Sequence, residues 1–374
     1  MAGIYIHIPF CKQACHYCDF HFSTSLKNKD AFLNALSKEI ELRKNYLSET
    51  VNSIYLGGGT PSLLNQEGIN LIFSTLRKYH TIAENAEVTL EANPDDLSKE
   101  YLLELKDTPV NRLSVGVQSF SDKDLKYMNR VHDARTAIES VELAANAGFN
   151  NLTIDLIYGT PTMNTDQWEK NLKIAFTLPV KHLSCYSLTV EPKTALATMI
   201  KKGKTKPVDE QKSAEQFEML MQLSIDAGFV QYEISNFCKG ENYSVHNSSY
   251  WKGESYLGLG PSAHSYNGSS RQWNISNNSL YIKSIQNNEM NFKKEILSVK
   301  QKYNEYVMTS LRTMWGTSPK KIKTTFGDPF EKHFKKEANK FLNENLLIEK
   351  ENIFYLSQKG KLFADRIASE LFNT

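Results

Sequence analysis

Three scarcities bound this sequence before any motif is read. Cysteine occurs only five times in 374 residues. An odd and small number is no disulfide framework for a chain of this size, and it points to a reducing, cytoplasmic setting. No run of 18 apolar residues is present, so no segment reads as a bilayer-spanning helix. Charge of one sign is not in excess either: 44 Lys+Arg against 42 Asp+Glu leave a formal +2. That balance suggests neither nucleic acid nor an acidic membrane as a partner. Internal repeats and low-complexity tracts are lacking too. What remains is an ordinary globular composition, 40% hydrophobic and 23% charged, in a chain long enough for one large core and a smaller domain. Residues 3–8, GIYIHI, alternate and then meet Pro9. They open a strand rather than a signal peptide.

Strand-like and helix-like segments then alternate up to about residue 190. Strands are expected at 3–8, 51–57, 86–92, 112–118, 151–158 and 182–190, short and rich in β-formers, with Gly, Pro, Asn or Asp at their ends. Helical periodicity lies between them: Phe32, Leu36 and Ile40 in 30–46 with Asp30 as cap, YLLEL after Ser98, Trp168 and Leu172 after Thr165, and the alanine-rich 133–148 stopped by Gly148. Six β-α units in series imply a parallel sheet, open or curled into a partial barrel, with chemistry at the C-terminal strand ends. After residue 190 the alternation stops. A connector at 200–207, a helix at about 209–227 and loops to about 280 are expected. From 293 the chain is mostly helical, with 16 Lys+Arg against 10 Asp+Glu and a hairpin in LLIEKENIFYLS, an order like that of a winged helix. The divisions read from this pattern are 1–200, 201–292 and 293–374.

Three of the five cysteines, Cys11, Cys15 and Cys18, fall within HIPFCKQACHYCDF. Buried thiols that bind nothing are one reading, although Lys, Gln and His are poor neighbours for a core. Zinc is a second, with His21 completing a Cys3His set. The third is a [4Fe–4S] cluster held at three corners, with one iron open to a ligand. The later strand ends add candidates to the same rim. GGGTPS brings Gly58, Gly59 and Thr60, whose backbone can approach a ligand closely and donate N–H groups. Glu91 in LEANP can accept the hydroxyls of a ribose, and Gln118, Arg130 and Asp155 stand in GVQSF, MNRVH and TIDLIYG. Each alone is more often structural; in one orderly alternation after the cysteines they point to one ligand.

C-x3-C-x2-C after the first strand of such a series resembles the radical S-adenosylmethionine superfamily. There the cofactor's amino and carboxylate groups chelate the open iron, and an electron from the cluster yields methionine and a 5′-deoxyadenosyl radical. YIHIPFC, GGGTPS, LEANPDDL, GVQSF, IDLIYGTP and LGLGPSAHSY resemble, over nearly the whole chain, the oxygen-independent coproporphyrinogen dehydrogenase group. The resemblance implies an α/β fold, a six-unit partial (β/α) barrel followed by a mixed, mostly helical C-terminal part with a winged-helix-like end. It makes Cys11, Cys15 and Cys18 the cluster ligands. It makes Tyr5, Gly58, Gly59, Thr60, Glu91, Gln118, Arg130 and Asp155 contacts to S-adenosylmethionine.

Two departures matter. The dehydrogenases carry a further cysteine two places after the third ligand, where this chain has Phe20, and an N-terminal extension before the cluster loop, where this chain has its first cysteine at residue 11. Both are similar instead to the haem-chaperone branch of the group, which binds haem and passes it to client proteins. HNSSYW, read as a loop, marks the same branch: His246 offers an imidazole, Asn247 an amide, and Tyr250 and Trp251 flat rings for a macrocycle. His264 in PSAHSY is the rival iron ligand and Cys238 a third candidate, while Cys185 reads as core. Radical decarboxylation of coproporphyrinogen III is the alternative activity. A radical enzyme acting on nucleic acid has only the basic tail in its favour. The resemblance also implies an electron donor such as flavodoxin or ferredoxin, and peripheral membrane association through a client is compatible with it.

Overall fold

The short apolar runs form six parallel strands: β1 (Ala2–Ile8), β2 (Val51–Gly58), β3 (Ile82–Ala92), β4 (Arg112–Gln118), β5 (Leu152–Tyr158) and β6 (His182–Ser187). The structure, a computed structural model, describes residues 1–374. The six strands pair in sequence order, all in parallel register. Such strands are covered on both faces, and β4 is buried at every position. Helices α1 (Lys29–Leu42), α2 (Gln66–Tyr79), α3 (Lys99–Lys106), α4 (Asp122–Tyr127), α5 (Ala134–Asn146) and α6 (Thr165–Thr177) occupy the connections. On α1, Phe32, Leu36 and Ile40 point into the core. The result is the partial (β/α)6 barrel, with 56 buried hydrophobic residues in one cluster.

Local chemistry moved some boundaries. Ser98 caps α3 as expected, accepting from the Tyr101 N–H. Asn164, not Thr165, caps α6, its side chain accepting from the Gln167 N–H at 2.8 Å. Asp30 sits in the first turn of α1, where its charge meets the helix dipole, and not at the cap. Gly148 adopts φ +89° just beyond α5, the left-handed stop that glycine favours.

The larger correction lies after residue 190. Beyond α7 (Ala195–Lys201) and α8 (Glu210–Asp226), the stretch expected as loops to about 280 holds β7 (Phe229–Gln231), β8 (Asn236–Lys239), α9 (Val245–Lys252), β9 (Ser255–Leu259), β10 (His264–Tyr266) and β11 (Ser270–Asn274); α10 (Asn278–Gln286) and β12 (Phe292–Ile296) follow, the latter a strand where the helical end was expected to begin. The strands join the barrel sheet at both ends, in the order β12-β11-β10-β9-β1-β2-β3-β4-β5-β6-β8-β7. β9 lies parallel to β1 and β8 antiparallel to β6. Each outer strand of the six therefore has a partner, and β1 and β6 do not close on one another. HNSSYW is not a loop: it makes up most of α9, capped by Ser244.

The C-terminal end is α11 (Val299–Leu311), α12 (Pro319–Phe326), α13 (Asp328–Asn343), the hairpin β13 (Leu347–Lys350) and β14 (Ile353–Leu356), and α14 (Ala364–Glu370). Glu351 and Asn352 both have positive φ, as a two-residue hairpin turn of this twist requires. A separate cluster of 15 buried hydrophobic residues holds this end together.

Buried Glu39 ties α1 to the strands added beside β1. It accepts from Tyr281 Oη, Asn274 Nδ2 and the Gly260 N–H, each at 2.7 Å. Burial pushes its carboxyl up, with Arg43 next to it opposing. Glu39→Ala removes the acceptor of all three donors and leaves the Arg43 charge without its counter-ion in the core. Urea denaturation is expected to show a loss of about 3–5 kcal/mol.

Candidate functional site: two cavities around the cysteine loop

The loop that leaves β1 carries Cys11, Cys15 and Cys18, and the chain straps it down. Lys12 Nζ pairs with Asp95 at 3.0 Å and with Asp96. Gln13 Nε2 donates to Asn129 O at 2.9 Å, and Asn129 Nδ2 returns a bond to Ala14 O at 2.7 Å. The His16 N–H donates to Met128 O at 3.1 Å. The loop is thereby fixed over the C-terminal ends of β3 and β4.

Beneath it opens a cavity of about 490 Å³, lined by all three cysteines and by Gly58, Gly59, Thr60, Glu91, Gln118, Arg130 and Asp155. Every residue that the sequence placed at this rim is there except Tyr5. Tyr5 lines a neighbouring cavity instead, with its hydroxyl 3.2 Å from His7 Nδ1. Two residues not singled out from the sequence organise the group. Tyr55 donates to Glu91 Oε1 at 2.8 Å. Asn93 accepts from Arg130 at 2.6 Å and donates to Thr60 Oγ1 at 3.2 Å. Both lie in stretches already read, 51–57 and LEANP; an inward strand position for Tyr55 and a place directly after the third strand for Asn93 were the available signals.

The electrostatics leave charge to be met. Burial pushes Glu91 up to about 7 and Asp155 up to about 6. Burial also raises the Cys11 thiol, and takes that of Cys18 up to about 12. Arg130 reaches Cys15 Sγ at 3.3 Å, and its Nε is buried without a partner. Glycine is required where the turn after β2 meets β1: a Cβ on Gly59 would sit 2.5 Å from Phe10 O, and one on Gly58 2.4 Å from His7 Nδ1. Gln118 holds φ +65° at the end of β4, a strained position for a residue with a side chain.

A second cavity of about 460 Å³ lies on the other side of the loop. Asp19 and Phe20 line both. The members of HNSSYW are divided between them: Asn247 lines the first, Tyr250 and Trp251 the second. His246 lines neither. It is buried, with Nδ1 2.9 Å from Ser53 Oγ and Nε2 2.8 Å from Tyr250 Oη, and burial lowers it to about 3. That geometry, within α9, overturns its reading as a loop imidazole. His21 also turns away from the thiols, its Nε2 2.7 Å from Asn278 Oδ1. Cys185 and Cys238 are buried outside both cavities.

A partial (β/α)6 barrel with three thiols and buried carboxylates at one rim defines a class, and the comparisons with known proteins agree with it. The model of the family described as Radical SAM superfamily matches residues 5–175, and that of the HemN C-terminal domain matches residues 297–363. The solved structure of coproporphyrinogen III oxidase (HemN) from Escherichia coli superposes with a TM-score of 0.86 at 22% identity, covering 100% of this chain and 90% of that one; it shows the fold. A protein named heme chaperone HemW from Bacillus subtilis is 34% identical, with 98% of each chain covered. Its namesake from Escherichia coli is 35% identical over 70% of this chain and 69% of its own. The chain belongs to the radical SAM superfamily and, within it, to the HemW family.

The residues fit the groups that this superfamily implies. The thiols share a cavity with room beside them, Gly58, Gly59 and Arg130 line the same space, and Arg130 Nε is buried without a partner. No three His, Cys, Asp or Glu side chains converge as the donors of a single metal ion do. The thiolates of a cubane cluster each meet a different iron and stand further apart.

Gln118→Gly releases the positive φ. It is expected to raise stability by about 1 kcal/mol in thermal unfolding, while weakening any ligand that the Gln118 side chain touches. An unchanged or lowered Tm would show that the backbone there is unstrained.

Proposed function

We propose that this chain is a haem chaperone: it holds a [4Fe–4S] cluster on Cys11, Cys15 and Cys18, binds S-adenosylmethionine beside it, and takes up haem for delivery to a client protein. The observation that carries the reading is the pair of cavities sharing one loop. One is lined by the three thiols and by buried carboxylates at the strand ends; the other is rich in aromatic side chains. A radical enzyme needs the first. The second, in a family whose relatives are named heme chaperones, supports a flat macrocyclic cargo.

In the first cavity each side chain has a role that its position supports. Gly58 and Gly59 keep the turn after β2 against the cysteine-bearing segment and so hold this rim in place, and Glu91 accepts from ribose hydroxyls or a cationic group. Asp155, 3.3 Å from Ser114 Oγ, adds a second carboxylate. Arg130 holds the Cys15 sulfur and stabilises thiolate charge. When bound, cluster and cofactor supply one-electron reduction of the sulfonium. Phe20 stands where the dehydrogenases have their additional cysteine, and it replaces a thiol by an exposed phenyl ring. That substitution supports delivery over porphyrinogen decarboxylation.

Anaerobically reconstituted protein tests the reading by hemin titration with optical and EPR detection, alongside an assay with coproporphyrinogen III and a reductant. Stoichiometric hemin uptake without protoporphyrinogen is expected. Protoporphyrinogen formation would replace the chaperone by the dehydrogenase.

A pH profile tests the carboxylates. Burial holds Glu91 protonated to about pH 7, and a ligand that prefers the ionised form must displace that proton below this value. Affinity for S-adenosylmethionine is therefore expected to rise between about pH 6 and pH 8, by up to about tenfold per unit, and then to level off. Glu91→Gln should flatten the profile and weaken binding about ten- to a hundredfold. Calorimetry across that range is the measurement.

A further inference from the structure

The second cavity holds chemistry that the radical site does not use. It lies between the face of β9, β10 and β11, the C-terminal turn of α9, and α11. Its volume, about 460 Å³, is that of a small-molecule site. Tyr250, Tyr256 and Tyr266 line it in succession. The Tyr250 and Tyr256 rings meet edge to face at 4.6 Å, and Tyr256 lies 6.1 Å from Tyr266. Phe20, 65% exposed, lines it from the cysteine loop. Such surfaces suit a flat aromatic ligand.

We infer that this cavity is the haem site, and that His264, not His246, offers the axial nitrogen to the iron.

The inference rests on the chaperone reading given above and names its site. An axial ligand needs a ring nitrogen with a free lone pair facing the cavity. His246 fails on both counts, since its two nitrogens are held by Ser53 and Tyr250 and it lines neither cavity. His7 lines the second cavity, but its nitrogens are engaged by the Tyr5 hydroxyl and by His21 O. His21 donates its Nε2–H to Asn278 Oδ1 and its ring stacks on His7, so Nδ1 alone is left and His21 is the rival that the variants below must separate from His264. His264 is exposed, and neither of its ring nitrogens has a hydrogen-bond partner in the chain. Its ring is held almost parallel to Trp273, at 6.1 Å and 22°. Cross-strand pairing of β10 and β11 sets that stack, so the imidazole is oriented before any ligand arrives.

The carboxylate arms of haem need a cation. Arg271 is the one Lys or Arg lining this cavity. One amino group of its guanidinium pairs with Glu305 at 3.0 Å, and its Nε is buried with no partner. An arginine has five N–H donors in a fixed fork, so Arg271 can keep Glu305 and still take a carboxylate. Asp19, Glu254 and Glu305 also line the cavity. They oppose a second anionic arm there and favour leaving it in solvent.

The test titrates hemin alone into full-length, cluster-loaded protein and into variants shown folded by circular dichroism. His264→Ala is expected to lose the histidine-ligated optical and EPR signature and to weaken hemin at least tenfold, with free imidazole restoring the signature. His21→Ala and His246→Ala are expected to keep it. Arg271→Leu should weaken hemin several-fold while leaving hemin dimethyl ester, which lacks the charged arms, unaffected. A ligated signature that survives in His264→Ala, or is lost in His246→Ala or His21→Ala instead, overturns the inference and leaves the chaperone standing. If the unaltered protein takes up no stoichiometric hemin, the chaperone reading itself falls, and the site with it.

Discussion

Strand β1 is hydrogen-bonded on both sides in parallel register, to β2 and to β9, and both cavities depend on that double pairing. Alternation along the strand sends Ile4, Ile6 and Ile8, all fully buried, to one face, and places Tyr5 and His7 on the other. The pairing continues past the strand end: the Gly59 N–H donates to Ile8 O at 2.9 Å, and the Thr60 N–H donates to Phe10 O. Glycine after β2 is therefore a steric condition for the position of the cysteine loop. These bonds join the loop to the glycine turn, and backbone pairing sets where the cysteines stand.

Two kinds of buried carboxylate separate scaffold from site. Glu39 has three donors at 2.7 Å and Arg43 beside it, and it joins elements distant in sequence. Glu91 has one hydroxyl, from Tyr55, one N–H, from Gly58, and a second carboxyl, Asp155, close enough to raise it further. Folding satisfies the first and leaves the second short of positive charge. A protein retains such a deficit where a ligand supplies what is missing. The positive φ of Gln118 and the unpartnered Nε of Arg130, both at the same rim, belong to the same pattern.

The six-unit barrel was legible in the sequence because parallel strands buried on both faces read as continuous β-rich runs, and amphipathic helices between them repeat at 3.6 residues. The first rim was legible for a related reason: strand ends are marked by Gly, Asn and Pro, and the polar residues beside those marks face the cavity. The strands after residue 228 were not. β7 and β10 have three residues each and β8 four, too short for a period-2 signal. The Asn, Ser and Gly between them mimic loop chemistry, and pairing makes them strands: β9 on β1, β8 on β6, and the others on one another. Tyr5, named from the resemblance alone, lines the second cavity. Its place next to the cysteines in sequence does not say which side of the loop its ring enters.

HNSSYW shows how a compact motif can serve two spaces. Glu87 on β3 accepts from the N–H groups of Val245 and His246 at 3.1 and 3.0 Å, fixing the first turn of α9 against the barrel, where Asn247 reaches the lumen. The helix stops at Gly253, in the left-handed conformation, and its last turn delivers Tyr250 and Trp251 to the second cavity. His246 joins the two ends, accepting or donating between Ser53 on β2 and Tyr250 one turn on. Its stacking on Tyr55, with centroids 5.1 Å apart, extends the connection to the tyrosine that donates to Glu91. A chain of direct contacts thus runs from the carboxylate of the radical cavity through Tyr55 and His246 to an aromatic ring of the other. The imidazole that sequence marks as a ligand is, by its contacts, the joint in the partition between the two cavities.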